Sequence, residues 1–184
     1  MKSRKIIAGI DEVGRGSLIG SVYSAAVIFD NDNLINNLSD SKKISVTNRL
    51  YLANIIIKKA AAVSIGIATR DEIDDLNIHH ATLLSMKRAI DNLPIKADLL
   101  LIDGKYAPET GIETRTIIKG DNLINQISAA SIIAKVSRDN EMLFLNNKFK
   151  EYYFSKNKGY GTKHHLSALA HFGKTIYHRE SFIK

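Results

Sequence analysis

The chain of 184 residues contains no cysteine, and proline occurs only at Pro94 and Pro108. Without cysteine there is no disulfide, no thiolate nucleophile and no zinc–cysteine centre. No Pro/Gly-rich hinge, low-complexity tract or internal repeat divides the sequence, so residues 1–184 are expected to form a single domain. No apolar run approaches the ~20 residues of a bilayer span. The leading apolar stretch, Ile6-Ile7-Ala8-Gly9-Ile10, is cut off by Asp11-Glu12. It is shorter than the roughly 7–15 residues of a secretory signal core. A cytoplasmic location is the resulting expectation, and a monomer, since no oligomerisation segment stands out.

Positive charge is in excess. There are 26 Lys and Arg against 19 Asp and Glu, a net charge of +7. That balance favours a polyanionic partner such as nucleic acid. A hydrophobic content of 45% with 24% charged residues is ordinary for a globular chain, and the length suffices to bury a core.

Hydrophobic periodicity places five strands, at residues 5–11, 23–29, 61–69, 97–103 and 113–118. Helices are expected at 46–60, beginning near Ser45 or Thr47, at 71–76 and 79–93, within 122–150, and at 162–172. Leu50, Ala53, Ile56 and Ile57 are expected to form the apolar face of the first. Two strands succeed each other before any helix, which implies antiparallel pairing. A later strand follows helices, which implies a parallel crossover. The expected fold is α/β, a mixed five-stranded sheet flanked by helices with a helical C-terminal part. Ligands in such sheets gather at the carboxyl ends of parallel strands.

The acids fall at such ends. Asp11-Glu12 closes the first apolar run, and Asp103 closes Leu99-Leu100-Leu101-Ile102. Carboxylates brought together there repel one another and lose hydration, which a divalent cation would offset. Successive strand residues point to opposite faces, so for both Asp11 and Glu12 to serve one site the strand must end or twist there, as Gly14 and Gly16 permit. Asp121, just before the long helix, reads in isolation as an N-cap, and Asp139 as a helix ion-pair residue.

Gly14-Arg15-Gly16-Ser17-Leu18-Ile19-Gly20 is not a dinucleotide loop, because a strand follows where a helix should begin. Its glycines expose N–H groups suited to a sugar or phosphate oxygen, and Arg15 adds a phosphate fork. Asp40-Ser41-Lys42-Lys43 is a basic turn before a helix. Between Gly159 and Gly161, Tyr160 either lies open for stacking on a base or sugar or packs on its neighbours. No histidine pair has H-E-x-x-H spacing, so zinc is not expected. His171 and His178 read as structural, and Ser128, Ser131 and Ala134 as close packing on the sheet.

In combination the segments resemble ribonuclease HII. The family's acid pair with Val-Gly-Arg-Gly appears as Asp11-Glu12-Val13-Gly14-Arg15-Gly16, and its Asp-Ser-Lys-Lys at residues 40–43. Its strand-ending Asp-Gly is Asp103-Gly104, and its Lys-Gly-Asp lies at 119–121. The Ser-Ala-Ala-Ser-Ile-x-Ala-Lys-Val-x-Arg-Asp run lies at 128–139, Gly-Tyr-Gly-Thr-Lys-x-His at 159–165, and His-Arg-x-Ser-Phe at 178–182. Ser17 and Ser21 stand where the family often has prolines, Ile19 replaces an alanine, and His164 stands where glutamate is common.

The resemblance implies a ribonuclease H-like fold and an endoribonuclease. Its expected action is hydrolysis of the RNA strand of RNA/DNA hybrids and incision 5′ of single ribonucleotides in duplex DNA, in ribonucleotide excision repair and DNA replication. It implies a metal-binding catalytic site of Asp11, Glu12, Asp103 and Asp121, in place of the cap reading of Asp121. Gly14, Arg15 and Gly16 would read the ribonucleotide through its 2′-hydroxyl and phosphate, with Tyr160 stacked on the neighbouring sugar. Lys42, Lys43, Thr162, Lys163 and His165 would contact phosphates. Two Mg²⁺ or Mn²⁺ ions in such a site support in-line hydrolysis to 5′-phosphate and 3′-hydroxyl ends. The rival readings are another metal nuclease on the same fold and a non-catalytic nucleic-acid-binding module. Acids facing phosphates weigh against the latter.

Overall fold

The computed structural model describes residues 5–30, 35, 38 and 44–183. Lys42 and Lys43 lie outside the described residues. All five expected strands form: β1 (Ile7–Val13), β2 (Val22–Ile28), β3 (Ala62–Ala68), β4 (Leu99–Asp103) and β5 (Glu113–Ile117). Their order is β3-β2-β1-β4-β5. β2 pairs antiparallel with β1 and β3, whereas β4 pairs parallel with β1 and β5. β1 and β2 lie inside the sheet with both faces largely covered, hence their unbroken apolar runs.

Of the five α-helices among the described residues, four cover the expected segments, with 71–76 and 79–93 joined in one, and the short helix at Phe154–Asn157 was not expected. α1 (Val46–Lys59) is capped by Ser45, whose hydroxyl accepts from Asn48 N at 3.2 Å. Its buried face differs from the periodicity. Leu50 and Ile57 remain exposed while Arg49 is buried. Arg49 turns inward because its guanidinium donates to Ile44 O at 3.0 Å and lies 3.6 Å from Asp139. α2 (Arg70–Asp91) opens with a capping box of Thr69 and Glu72. At Asn77, where two helices were expected to meet, φ is 66°. The Asn77 side chain accepts from His79 N at 2.9 Å and so caps the second half. α3 (Asn125–Lys148), α4 (Phe154–Asn157) and α5 (Lys163–Phe172) complete the set. None of the described helices is long and apolar enough to cross a membrane.

Strand alternation divides the core between the two faces. Ala25 and Val27 meet Ile56 of α1 and Ala129, Ile132 and Ile133 of α3. Ala26 and Ile28, with Ile10, Leu100 and Ile102, meet Met86 and Ala89 of α2. A third cluster joins Ile19 and Met142 to Tyr152, Phe154 and Ala168. α3 rests directly on β1, and only glycine permits this. A Cβ at Gly9 would stand 2.3 Å from the Gln126 carbonyl carbon and 2.4 Å from Ile127 N.

Gly9→Ala therefore has to push β1 and α3 apart. A loss of about 1–3 kcal/mol is expected in denaturant unfolding; an unchanged midpoint would contradict the contact. A second expectation concerns pH. The Arg88 hydrogen bonds to Glu72, at 2.6 and 2.8 Å, lower its pKa from 4.5 to about 2. A carboxyl lowered by folding stabilises above its unfolded pKa and loses that effect as pH falls through its folded one. The stability difference between wild type and Glu72→Gln should thus be full above about pH 4.5 and vanish near pH 2, as read by thermal melts.

Candidate active site

The parallel pairing of β1 with β4 ends at Ile10↔Ile102, whereas β1 runs on beside β2 to Val13↔Tyr23. Asp11 and Glu12 therefore sit just beyond the end of their parallel neighbour, and Asp103 is the last residue of β4. The strand neither ends nor breaks at the acid pair. Asp11 points to the α3 face, where Ser131 hydrogen-bonds it. Glu12 points to the other, lining a cleft of about 40 Å³ with Arg15, Asp103, His79 and Tyr106. The two acids meet around an open sheet edge, and Asp103 interacts electrostatically with both.

Burial dominates their protonation. Asp11 is 4% exposed, and its carboxyl is raised well above the usual range by desolvation, then by the charges of Glu12 and Asp103. Its Oδ1 accepts from Glu12 N at 2.7 Å. Desolvation also raises Glu12, opposed by Arg15, whose guanidinium lies 3.6 Å away, and reinforced by Asp103.

Asp121 lies in a 3₁₀ turn, Gly120–Asn122, not at the N-cap of α3, which is Ile124. The turn is joined to the rim by Gly120 N, which donates to Asp103 Oδ1 at 2.7 Å. Asp121 is itself buried, accepting from Asn122 Nδ2 at 2.9 Å, and Ser128 Oγ donates to its carbonyl at 2.6 Å. The serines read from sequence as packing residues thus have a second task, since Ser131 holds Asp11 and Ser128 the Asp121 turn. Among the described residues no group of three or more Asp, Glu or His side chains stands ready as a metal cage. The donors nonetheless suit a hard divalent ion, being all oxygen, with Asp11 and Glu12 desolvated and repelled by Asp103.

Beside the acids, the loop at 14–21 meets Tyr160. A Cβ at Gly16 would lie 3.9 Å from Tyr160 Cε1, and the Arg138 guanidinium lies 5.6 Å from that ring's centroid. Tyr160 is 38% exposed, so it rests on the loop and still presents ring surface. The N–H groups of Arg15 and Gly16 meet no acceptor among the described residues, and both residues are exposed. Gly14 has φ +99°, and a Cβ there would stand 2.2 Å from Arg138 Nε.

Thr162 and Lys163 are exposed at the start of α5, where the Thr162 hydroxyl caps the helix by accepting from His165 N at 3.3 Å. His165 departs from expectation. It has no exposed surface, so the phosphate contact anticipated for it is corrected to an internal role. Its Nδ1 lies 3.0 Å from Tyr160 O and its Nε2 3.0 Å from His178 Nε2. Thr175 N donates to His178 Nδ1 at 2.9 Å, which leaves the His178 Nε2 proton to donate to His165 and the His165 Nδ1 proton to donate to Tyr160 O. Desolvation and the facing His165 lower His178 to about 4, and desolvation lowers His165. His178 was legible as structural. Its partners were not, nor were the buried Arg138 and Arg179 behind the loop.

Crowding of like charge predicts that Asp11→Asn stabilises the metal-free protein. Each kcal/mol of relief should raise the melting midpoint by about 2–4 °C in chelator, and a midpoint that falls would contradict the crowding.

The ribonuclease HII family model matches residues 8–184. Ribonuclease HII of Shewanella piezotolerans is 54% identical over 175 residues, covering 95% of this chain and 87% of that protein. Ribonuclease HII of Alteromonas mediterranea is 50% identical over 178 residues, covering 97% and 94%. Among solved structures, that of the PCNA:RNase HII complex from Archaeoglobus fulgidus matches with a TM-score of 0.82 at 26% identity, covering 97% of this chain and 96% of that one.

Proposed function

The chain belongs to the ribonuclease HII family and is a ribonuclease H acting on RNA/DNA hybrids, and we propose that it also incises duplex DNA 5′ of single embedded ribonucleotides. The observation that carries this reading is the adjacency of two surfaces. The carboxylate rim of Asp11, Glu12 and Asp103 is continuous, through Val13, with a loop whose Arg15 and Gly16 amides are unengaged and lie against Tyr160. A cutting centre thus stands next to a reader of sugar chemistry.

In this reading Asp11, Glu12, Asp103 and Asp121 hold two divalent ions, Mg²⁺ or Mn²⁺. When bound, these supply an activated water and neutralise charge on the leaving 3′ oxygen. The carboxylates act as ligands; the raised proton affinity of Asp11 and Glu12 comes first from desolvation and then from neighbouring negative charge, and a bound cation would offset both. Arg15, charge-paired with Glu12, presents its guanidinium to the phosphate beside the scissile bond. The Arg15 and Gly16 amides donate to the ribose 2′-oxygen, the atom that distinguishes RNA from DNA. Tyr160 stacks on the adjoining deoxyribose and marks the RNA-to-DNA junction. Thr162 and Lys163 contact phosphates of the strands, and the resemblance gives the same role to Lys42 and Lys43, which lie outside the described residues. The products are 5′-phosphate and 3′-hydroxyl ends. The protein works as a monomeric cytoplasmic enzyme in ribonucleotide removal and DNA replication.

The test is cleavage of a DNA duplex containing one ribonucleotide, in Mg²⁺ and Mn²⁺ separately, beside an all-DNA duplex. Incision on the 5′ side, lost in Asp11→Asn by a factor of about 10³ or more, is expected. Full activity in that variant would remove the metal-site assignment. Tyr160→Ala should lower the preference for the junction by about tenfold, the effect of one lost stacking contact. Unchanged junction preference would remove Tyr160 from the reader.

A further inference from the structure

Two cations have no part in that mechanism and should not be buried without reason. Arg138 and Arg179 have no exposed surface, and among the described residues neither has a carboxylate within ion-pair distance. A buried guanidinium is ordinarily paired. Here both are satisfied by backbone carbonyls. Arg179 Nη2 donates to Gly14 O at 2.8 Å, Nη1 to Arg15 O at 2.9 Å and Nε to Gly20 O at 2.9 Å. Arg138 Nη1 donates to Lys158 O at 2.8 Å, with longer bonds of 3.4 Å to Ile19 O and Ser21 O.

The bonds to Gly14 O and Arg15 O have a direct stereochemical result. In a trans peptide the C=O and the following N–H point in opposite directions. The peptide that carries Gly14 O also carries Arg15 N–H, and the one that carries Arg15 O also carries Gly16 N–H. These two amides meet no acceptor among the described residues. We propose that Arg179 and Arg138 are positioning residues for ribonucleotide selection. Arg179 draws two carbonyls inward and so turns two amides outward, and Arg138 ties that loop to residue 158 and to the Tyr160 ring. The inference rests on the reading of residues 14–16 and Tyr160 given above. A carbonyl held by a cation also polarises its own peptide, so the outward N–H becomes a stronger donor.

Arg179 is brought to the loop by the C-terminal segment. Arg179 N donates to Leu18 O at 2.9 Å, and Ile19 bridges His178. The far end of this strap is fastened to α2, where Asp74 accepts from Glu180 N and Ser181 N, each at 2.9 Å. Asp74 thus lies outside the cutting and reading surfaces yet controls the strap. Desolvation and the neighbouring Arg138 push Arg179 down to about 9, which leaves it charged at neutral pH.

The experiment compares wild type, Arg179→Lys and Asp74→Ala. Affinity is measured in chelator for a DNA duplex with one ribonucleotide and for the same duplex in all-DNA form. Turnover is measured with Mn²⁺, and folding by thermal melts. A lysine keeps the charge but, as a single ammonium, cannot hold the Gly14 and Arg15 carbonyls as a fork. Arg179→Lys should lower the ribonucleotide preference about tenfold, the effect of one lost charge-assisted hydrogen bond, with KM rising and kcat nearly kept. Asp74→Ala, which creates no buried unpaired charge, should lower it about threefold and is decisive if Arg179→Lys fails to fold. Wild-type preference in the folded variants, or a fall in kcat alone, would overturn the proposal. Hybrid cleavage by a wild type that lacks any ribonucleotide preference would instead defeat the underlying reading of residues 14–16.

Discussion

The contact on which the rest of the molecule depends is that of α3 against β1, backbone to backbone at Gly9. Because no side chain separates them, the spacing of helix and strand has no slack. Residues of α3 then arrive at fixed places. Ser128 reaches the Asp121 turn, Ser131 reaches Asp11, and two turns further Arg138 comes beneath the loop that leaves β1. Beyond it Asp139 receives Lys135 at 2.6 Å and faces Arg49, which ties α1 to the same helix. One helix thus places both the acids and the support of the reading loop.

The site is divided by charge. At the rim three carboxylates are crowded, Asp11 and Glu12 desolvated as well, and a few residues away two guanidinium groups are held beneath a loop by backbone carbonyls, with no carboxylate in ion-pair distance among the described residues. Neither group neutralises the other. The rim is suited to cations, whereas the loop, with cations behind it and free amides in front, is suited to a phosphate or a sugar oxygen. A phosphodiester would satisfy both, its negative charge facing the loop and, with divalent ions held by the acids, the rim as well. The chain's net charge of +7 favours the approach of a polyanion to a centre that would by itself repel it.

Much of the fold was legible because its signals are local. β1 and β4 begin as apolar runs that reach acids, and the break in α2 falls at Asn77, between the two helical stretches read from the sequence. The acids at the rim were legible because Asp11 and Asp103 end such runs. What remained hidden are side chains whose partners are backbone atoms distant in sequence. Arg138 resembles any helix-surface arginine, and its carbonyl partners are 20, 117 and 119 residues away. His165 lies in a cationic stretch, so its burial beneath Tyr160 depends on His178, 13 residues on, and on the aromatic cluster around it. Leu50 and Ile57 fit a helical stripe by spacing, but the inward turn of Arg49 set the face of α1. In each case the periodicity reports apolarity and is silent about charges that carbonyls or a distant acid can hold.

The strand order also has a consequence for the course of folding. β1, β2 and β3 join neighbours in sequence, whereas the β1–β4 ladder begins where Ile6 meets Asp98, 92 residues away. Closure of so long a loop is slow, and such pairings are expected to form after the local antiparallel unit. Asp11 and Asp103 therefore remain apart through the early part of folding and meet only when β4 docks. Repulsion that appears as β4 docks is divided between that slow step and the way back, where it shortens the lifetime of the native state. On this view a bound cation would serve the enzyme as a kinetic lock on its own sheet.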